Sequence, residues 1–110
     1  MEELKYKKAF GQNFIYDTNL LKAIVEDAKI LNTDEVLEIG VGAGTLTKQL
    51  ASKAKKVVCY EIDESLKYLI NSNICEFNNV KVIFKDILKA SEDEINAHFN
   101  IIKFTYVTIY

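Results

Sequence analysis

The chain has 110 residues, 49% of them apolar and 27% charged, with a formal net charge of −2; this composition supports one globular domain and excludes a disordered tail. No apolar run approaches the roughly 18–20 residues of a membrane span, and Met1-Glu2-Glu3-Leu4-Lys5 lacks the basic-then-apolar layout of a secretion signal, so a cytoplasmic protein is expected. The basic charge comes entirely from 14 lysines and the pI is near 5.4, so no global field draws nucleic acid and any RNA contact must be local.

Asp17 or Thr18 can cap a first helix, whose apolar positions Leu20, Leu21, Ile24, Val25, Ala28 and Leu31 recur at helical spacing while Lys22, Glu26 and Lys29 face out. Glu35-Val36-Leu37-Glu38-Ile39 is a short strand that stops at Gly40, and a second helix runs from Thr45 to Ala54. Lys56 to Tyr60 reads as a second strand, and Asp63 can cap a helix turning Leu66, Leu69 and Ile70 to the core. Asn78-Asn79 marks a turn before a third strand, Val80 to Phe84. Ser91-Glu92-Asp93-Glu94 then has capping-box form and opens a short helix reaching about His98. Ile101 to Tyr110 has the propensity of a fourth strand.

Strands alternating with helices make βαβ crossovers, so the expected fold is α/β, a parallel sheet with helices on both faces. Cys59 and Cys75 lack ligand spacing and read as buried thiols. His98 is the only histidine, which leaves no Ser/His/Asp triad and no histidine-rich metal site.

Glu38-Ile39-Gly40-Val41-Gly42-Ala43-Gly44 closes the first strand and opens the next helix, at the carboxyl end of a parallel sheet where ligands bind. A dinucleotide fingerprint needs a glycine where Thr45 stands, and a phosphate loop needs GK[ST], so neither motif is satisfied. GxGxG with an acid two positions before it instead resembles the S-adenosyl-L-methionine loop of class I methyltransferases. The helix N-terminus can face the ligand's carboxylate, with Glu38 near its ammonium. Glu61, at the end of the second strand, is placed to accept from both ribose hydroxyls. Asp86, after the third, is placed to accept from the adenine amine, with Ile62 and Ile87 against the ring faces.

Lys7-Lys8-Ala9-Phe10-Gly11-Gln12-Asn13-Phe14-Ile15, followed by Val36 to Gly44, Tyr60-Glu61-Ile62-Asp63 and Phe84-Lys85-Asp86-Ile87-Leu88, resembles the rRNA adenine N6-dimethyltransferases, and Gly11 before Gln12 favours their bacterial small-subunit branch. The resemblance implies a class I Rossmann-like fold and S-adenosyl-L-methionine as cofactor. Asn13 and Ile15 would close over its methionine end, Gly40 and Gly42 would line it, Glu61 would hold the ribose, and Asp86 the adenine. It also implies dimethylation of adjacent adenines of small-subunit rRNA during ribosome biogenesis, with that rRNA or the immature small subunit as partner. Lys5, Lys7 and Lys8 could touch RNA phosphate. No membrane partner, no metal and a monomeric state are expected.

The family orients its target amine with Asn-(Leu or Ile)-Pro-(Tyr or Phe) at the end of strand four. This chain has no proline, and Phe104-Thr105-Tyr106-Val107-Thr108-Ile109-Tyr110 supplies only the aromatics, so no catalytic residue is assigned. Residues 1–110 therefore read as a partial methyltransferase domain, truncated after about strand four, without the family's C-terminal RNA-binding domain. Truncation would leave the last strand with an unpaired edge. Two alternatives stay open: a catalytically inactive nucleoside-binding fragment, or a relative of the large-subunit rRNA adenine methyltransferases.

Overall fold

The computed structural model describes residues 2–3, 18–100 and 102–107. Five strands form one all-parallel sheet: β1 Glu2–Glu3, β2 Glu35–Ile39, β3 Lys56–Glu61, β4 Val80–Phe84 and β5 Ile102–Val107. Their order across the sheet is β1-β5-β2-β3-β4. Four helices connect them: α1 Thr18–Asp27, α2 Thr45–Ala51, α3 Lys67–Ile74 and α4 Glu92–Asn96.

Strand order explains which face each helix covers. From β2 to β3 to β4 the chain steps in one direction, whereas from β4 to β5 it returns to the far side of β2. With right-handed crossovers, such a reversal moves the connecting helix to the opposite face. Two cores result. Val36, Val57 and Cys59 on one face pack with Leu21, Ile24 and Val25 of α1, Leu46 and Leu50 of α2, and Ile70 and Ile74 of α3. Leu37, Val58 and Tyr60 on the other face pack beneath Ile87, Ile95 and Phe99, the region of α4. The period-two alternation of a strand divides these sets, and it also sends Glu38 to the α1–α2 side with Val36.

The first helix ends four residues earlier than its pattern predicts. Lys29 turns into the left-handed region at φ 54°, which breaks the helix, and Asp34 then accepts the Leu31 amide at 2.7 Å. Leu31 is consequently 61% exposed and Ile30 takes the buried place. Asp63 does cap the next turn, accepting from the Ser65 amide, but that turn is a 3-10 helix over Glu64–Leu66 before α3 begins. The change of pitch rotates the register, so Ile70 and Ile74 are buried and Leu69 is not. The helical span predicted to Ala54 ends at Ala51. Cys59 is buried as expected; Cys75, one position past buried Ile74, is exposed.

Ser91 caps α4 through the Glu94 amide. The Glu94 carboxylate, instead of closing the box, pairs with Lys85 at 2.7 Å and accepts from the Tyr60 hydroxyl at 3.2 Å, fastening α4 to β3 and the end of β4. At the other end of the sheet, Glu35 accepts the Asn100 amide at 2.9 Å and lies 3.6 Å from the Lys56 ammonium, which also donates to the His98 carbonyl. The edge of the last strand, expected to be unpaired, is covered in part: the two-residue β1 pairs with its middle, Glu2 beside Phe104 and Glu3 beside Thr105. A register shift at the start of β5 leaves Lys103 as the extra residue of a bulge. No helix among the described residues is long and apolar enough to cross a membrane.

Candidate functional site

The direction of strand succession reverses between β5 and β2, and in open parallel sheets the crevice at the carboxyl ends of such a pair is where ligands bind. The loop that follows β2 is Gly40 to Gly44. Its three glycines hold φ values of 80°, 59° and 90°, a region where side chains bearing a Cβ are strained. Gly44 also lies against Ile70, Asn73 and Ile74 of α3, at ordinary contact distance for an added Cβ, so backbone geometry and not crowding is what demands glycine there.

Strand register brings the predicted positions together. Ile39 pairs with Tyr60 and Glu61 with Phe84, so Gly40, Glu61 and Asp86 end three neighbouring strands, each about 4.8 Å from the next. Glu61, 1% exposed, turns its carboxylate back into the loop. Its Oε1 accepts from the Val41 and Gly42 amides at 2.8 and 3.0 Å, and its Oε2 from the Asp63 amide at 2.9 Å. Charge-assisted bonds from backbone are strong, so this acid fixes the loop's shape. The Gly40 amide donates to the Tyr60 carbonyl and the Gly44 amide to the Val41 carbonyl, which completes a rigid cradle.

Asp86 is half-buried and caps the 3-10 turn Ile87–Lys89, its Oδ1 accepting the Leu88 amide at 3.0 Å. Its Oδ2 has no partner among the described residues and remains an acceptor at the strand end. Ile62, the first residue after β3, is 68% exposed. Ile87 is half-buried against the Leu37–Val58–Tyr60 cluster. Asn13, Ile15 and the lysines at 5, 7 and 8 lie outside the described residues.

Glu38 lies at the end of β2, one residue before Ile39-Gly40 leads into the loop. It is fully buried on the sheet face that carries Val36, and its Oε1 accepts from the Thr47 hydroxyl at 2.5 Å and the Cys59 thiol at 3.5 Å. Its Oε2 has no partner among the described residues. Burial pushes its pKa up to about 8, with the nearby Glu61 charge adding to the rise and the Thr47 and Cys59 hydrogen bonds opposing it. The Thr47 bond ties the end of β2 to α2, so Glu38 supports the loop from beneath. Two further supports escaped the sequence: Thr47 on α2, and Asn73 on α3, whose side-chain amide donates to the Ala43 carbonyl at 2.6 Å. Thr47 follows Glu38 by nine residues across the glycine loop, and no spacing rule points to it or to Asn73.

The residues fit a nucleoside lying across three strand ends: a close backbone approach at the glycine loop, an exposed isoleucine for a ring face, and an unengaged carboxylate oxygen for an amine. Comparisons with known proteins identify the family. The sequence profile described as Ribosomal RNA adenine dimethylase matches residues 3–107. The Ribosomal RNA small subunit methyltransferase A of Bacillus mycoides (strain KBAB4) is 48% identical over 90 residues, covering 82% of this chain and 31% of that protein. The dimethyladenosine transferase from Plasmodium falciparum superposes with a TM-score of 0.67 at 31% identity, over 84% of this chain and 32% of that one. A coclaurine N-methyltransferase solved with N-methylheliamine and SAH superposes at 0.58 and 30% identity, over 66% of this chain and 23% of that one. The chain thus spans about a third of the length of the curated relative it matches. Since the profile runs without interruption through the glycine loop and all three strand ends, the chain belongs to the ribosomal RNA adenine dimethylase family.

Proposed function

We propose that residues 1–110 form the methyl-donor half of a small-subunit rRNA adenine N6-dimethyltransferase, binding S-adenosyl-L-methionine across the carboxyl ends of β2, β3 and β4. The observation that carries this reading is the convergence of the glycine cradle, Glu61 and Asp86 on neighbouring strand ends at the switch point. Gly40 and Gly42 admit the ligand close to backbone, and Glu61 holds that backbone in shape while lying beside the ribose position. Asp86 accepts from the adenine amine through Oδ2, and Ile62 and Ile87 bracket the ring. Asn13 and Ile15 close over the methionine end. When bound there, the cofactor supplies a methyl group on an electrophilic sulfonium.

The family's acceptor-orienting motif falls at the end of the strand that is β5 here, whose Val107 pairs with Ile39 beside the glycine loop. The sequence there, Phe104 to Tyr110, has no Asn and no Pro to hold a flipped adenine by its amine. That observation favours donor binding without transfer by this polypeptide alone, with small-subunit rRNA as the partner of the whole enzyme.

Calorimetric titration with S-adenosyl-L-methionine tests the site. Asp86→Ala should weaken binding by about 1–2 kcal/mol, the worth of a hydrogen bond to a charged acceptor less its compensation by water. An unchanged dissociation constant removes Asp86 from the site. Incubation of the chain with labelled cofactor and immature small subunits should give no dimethyladenine, and its formation would establish transfer by this chain.

A further inference from the structure

At the amino ends of β3 and β4, opposite the glycine loop, an open groove of about 600 Å³ is lined by Lys55, Lys56 and Lys81 with Asn78 and His98 at its sides and Val58 on its floor. No carboxylate lines it among the described residues. The nearest acid, Glu35, is buried and committed to Lys56 and the Asn100 amide, while the Lys55 and Lys81 ammonium groups form no ion pair among the described residues.

The groove has a cause in the strand pattern. Lys81, Ile83 and Lys85 share the face of β4 that α4 covers, but α4 has only five residues. Ile83 is packed beneath it and Lys85 is tied to Glu94, whereas Lys81 stands beyond its reach, beside Val58 in the register. A lysine thus occupies a sheet-face position that an apolar residue would fill if a longer helix lay over it. Cofactor chemistry at the other end of the sheet does not account for this.

We propose that this groove takes the sugar-phosphate backbone of an RNA strand, with Lys55 and Lys81 each neutralising a phosphate. Three lysines and two asparagines line it, a set of donors that suits the phosphates of a charged polymer. In a chain whose net charge is −2, this local concentration of lysines supplies the RNA contact that the overall field cannot. The inference rests on the reading that the chain acts on RNA, though not on where the methyl donor binds.

The test is fluorescence anisotropy of a short fluorescein-labelled RNA hairpin titrated with the full chain at several salt concentrations. Lys55→Gln/Lys81→Gln should weaken binding at least about fivefold near 0.1 M salt and lower the slope of log K against log salt by about 1.5. Lys22→Gln/Lys53→Gln, the same charge change on the α1–α2 face, should leave both much closer to the parent, with thermal melts confirming that each variant folds. Equal losses in the two variants, no loss in the first, or no RNA binding by the parent chain overturns the groove. S-adenosyl-L-methionine titration of Lys55→Gln/Lys81→Gln separates the two readings: absent cofactor binding with groove-dependent RNA binding defeats the donor site alone, and intact cofactor binding with groove-independent RNA binding defeats the groove alone.

Discussion

Glu38 has the most unusual environment of any single side chain in the fold, an acid with no solvent contact whose two described partners are a hydroxyl and a thiol. In the unfolded chain its carboxyl titrates in the usual range near 4.5, and in the folded chain burial raises that to about 8. Between those values the native state holds a proton that the unfolded state has released, so stability falls as pH rises, by up to about 1.4 kcal/mol per pH unit. Glu35 and Glu94 act in the opposite sense: Asn100 and Lys56 around the first, and Lys85 beside the second, lower their pKa values. Their contribution is present above the ordinary carboxyl range and is lost only in stronger acid. Urea unfolding should therefore show maximal stability near pH 5 and a decline toward pH 8. Glu38→Gln should flatten the decline, ending more stable than the parent at pH 8 with little difference at pH 5. Parallel profiles for the two proteins would show that Glu38 is ionised in the native state.

Between helix and strand, the end of α1 is the element whose conformation is set against its own residue. Lys29 holds φ 54° at the position where helices most often place glycine, and a side chain there costs about 1–2 kcal/mol of steric strain. Lys29 is exposed and makes no ion pair among the described residues, so nothing offsets that cost. Lys29→Gly should stabilise the chain by about 0.5–1 kcal/mol once the greater freedom of glycine in the unfolded state is subtracted, measured as a raised urea midpoint at unchanged slope. The same position shows what the sequence could and could not reveal. Glu35–Ile39 and Val80–Phe84 were legible to the residue because β-branched runs there are bounded by glycine and asparagine. The ends of α1 and the start of α3 were not, because a left-handed lysine and a 3-10 turn leave no mark in hydrophobic spacing. Glu61 and Asp86 could be singled out as strand-end acids. That Glu61 binds the Val41 and Gly42 amides could not, since those bonds join loops about 20 residues apart that only the folded sheet brings together.

Across the whole molecule the two layers flanking the sheet are unequal, and the strand order explains why. Three helices fill the α1–α2–α3 side, where Leu21, Ile24, Leu46, Leu50 and Ile70 are at most 2% exposed. Among the described residues the opposite side has α4 alone, held by half-buried Ile87, Ile95 and Phe99 and by the Lys85–Glu94–Tyr60 contacts. The Lys85–Glu94 pair is partly exposed, and pairs of that kind add little to stability, so α4 depends on its few apolar contacts. Removing side-chain carbon from the two layers should then have different consequences. Ile70→Ala leaves a cavity in a closed core and should cost about 3–4 kcal/mol, a large share of the stability of a domain this size. Ile95→Ala removes a side chain that water already reaches, so about 1–2 kcal/mol is expected. Native-state hydrogen exchange should show the same inequality, with α4 amides opening at lower free energy than those of β3, which is hydrogen-bonded on both sides. If Ile95→Ala proves as costly as Ile70→Ala, or α4 exchanges as slowly as β3, the α4 layer is an equal partner in the core and the division of the fold into a firm face and a loose one is wrong.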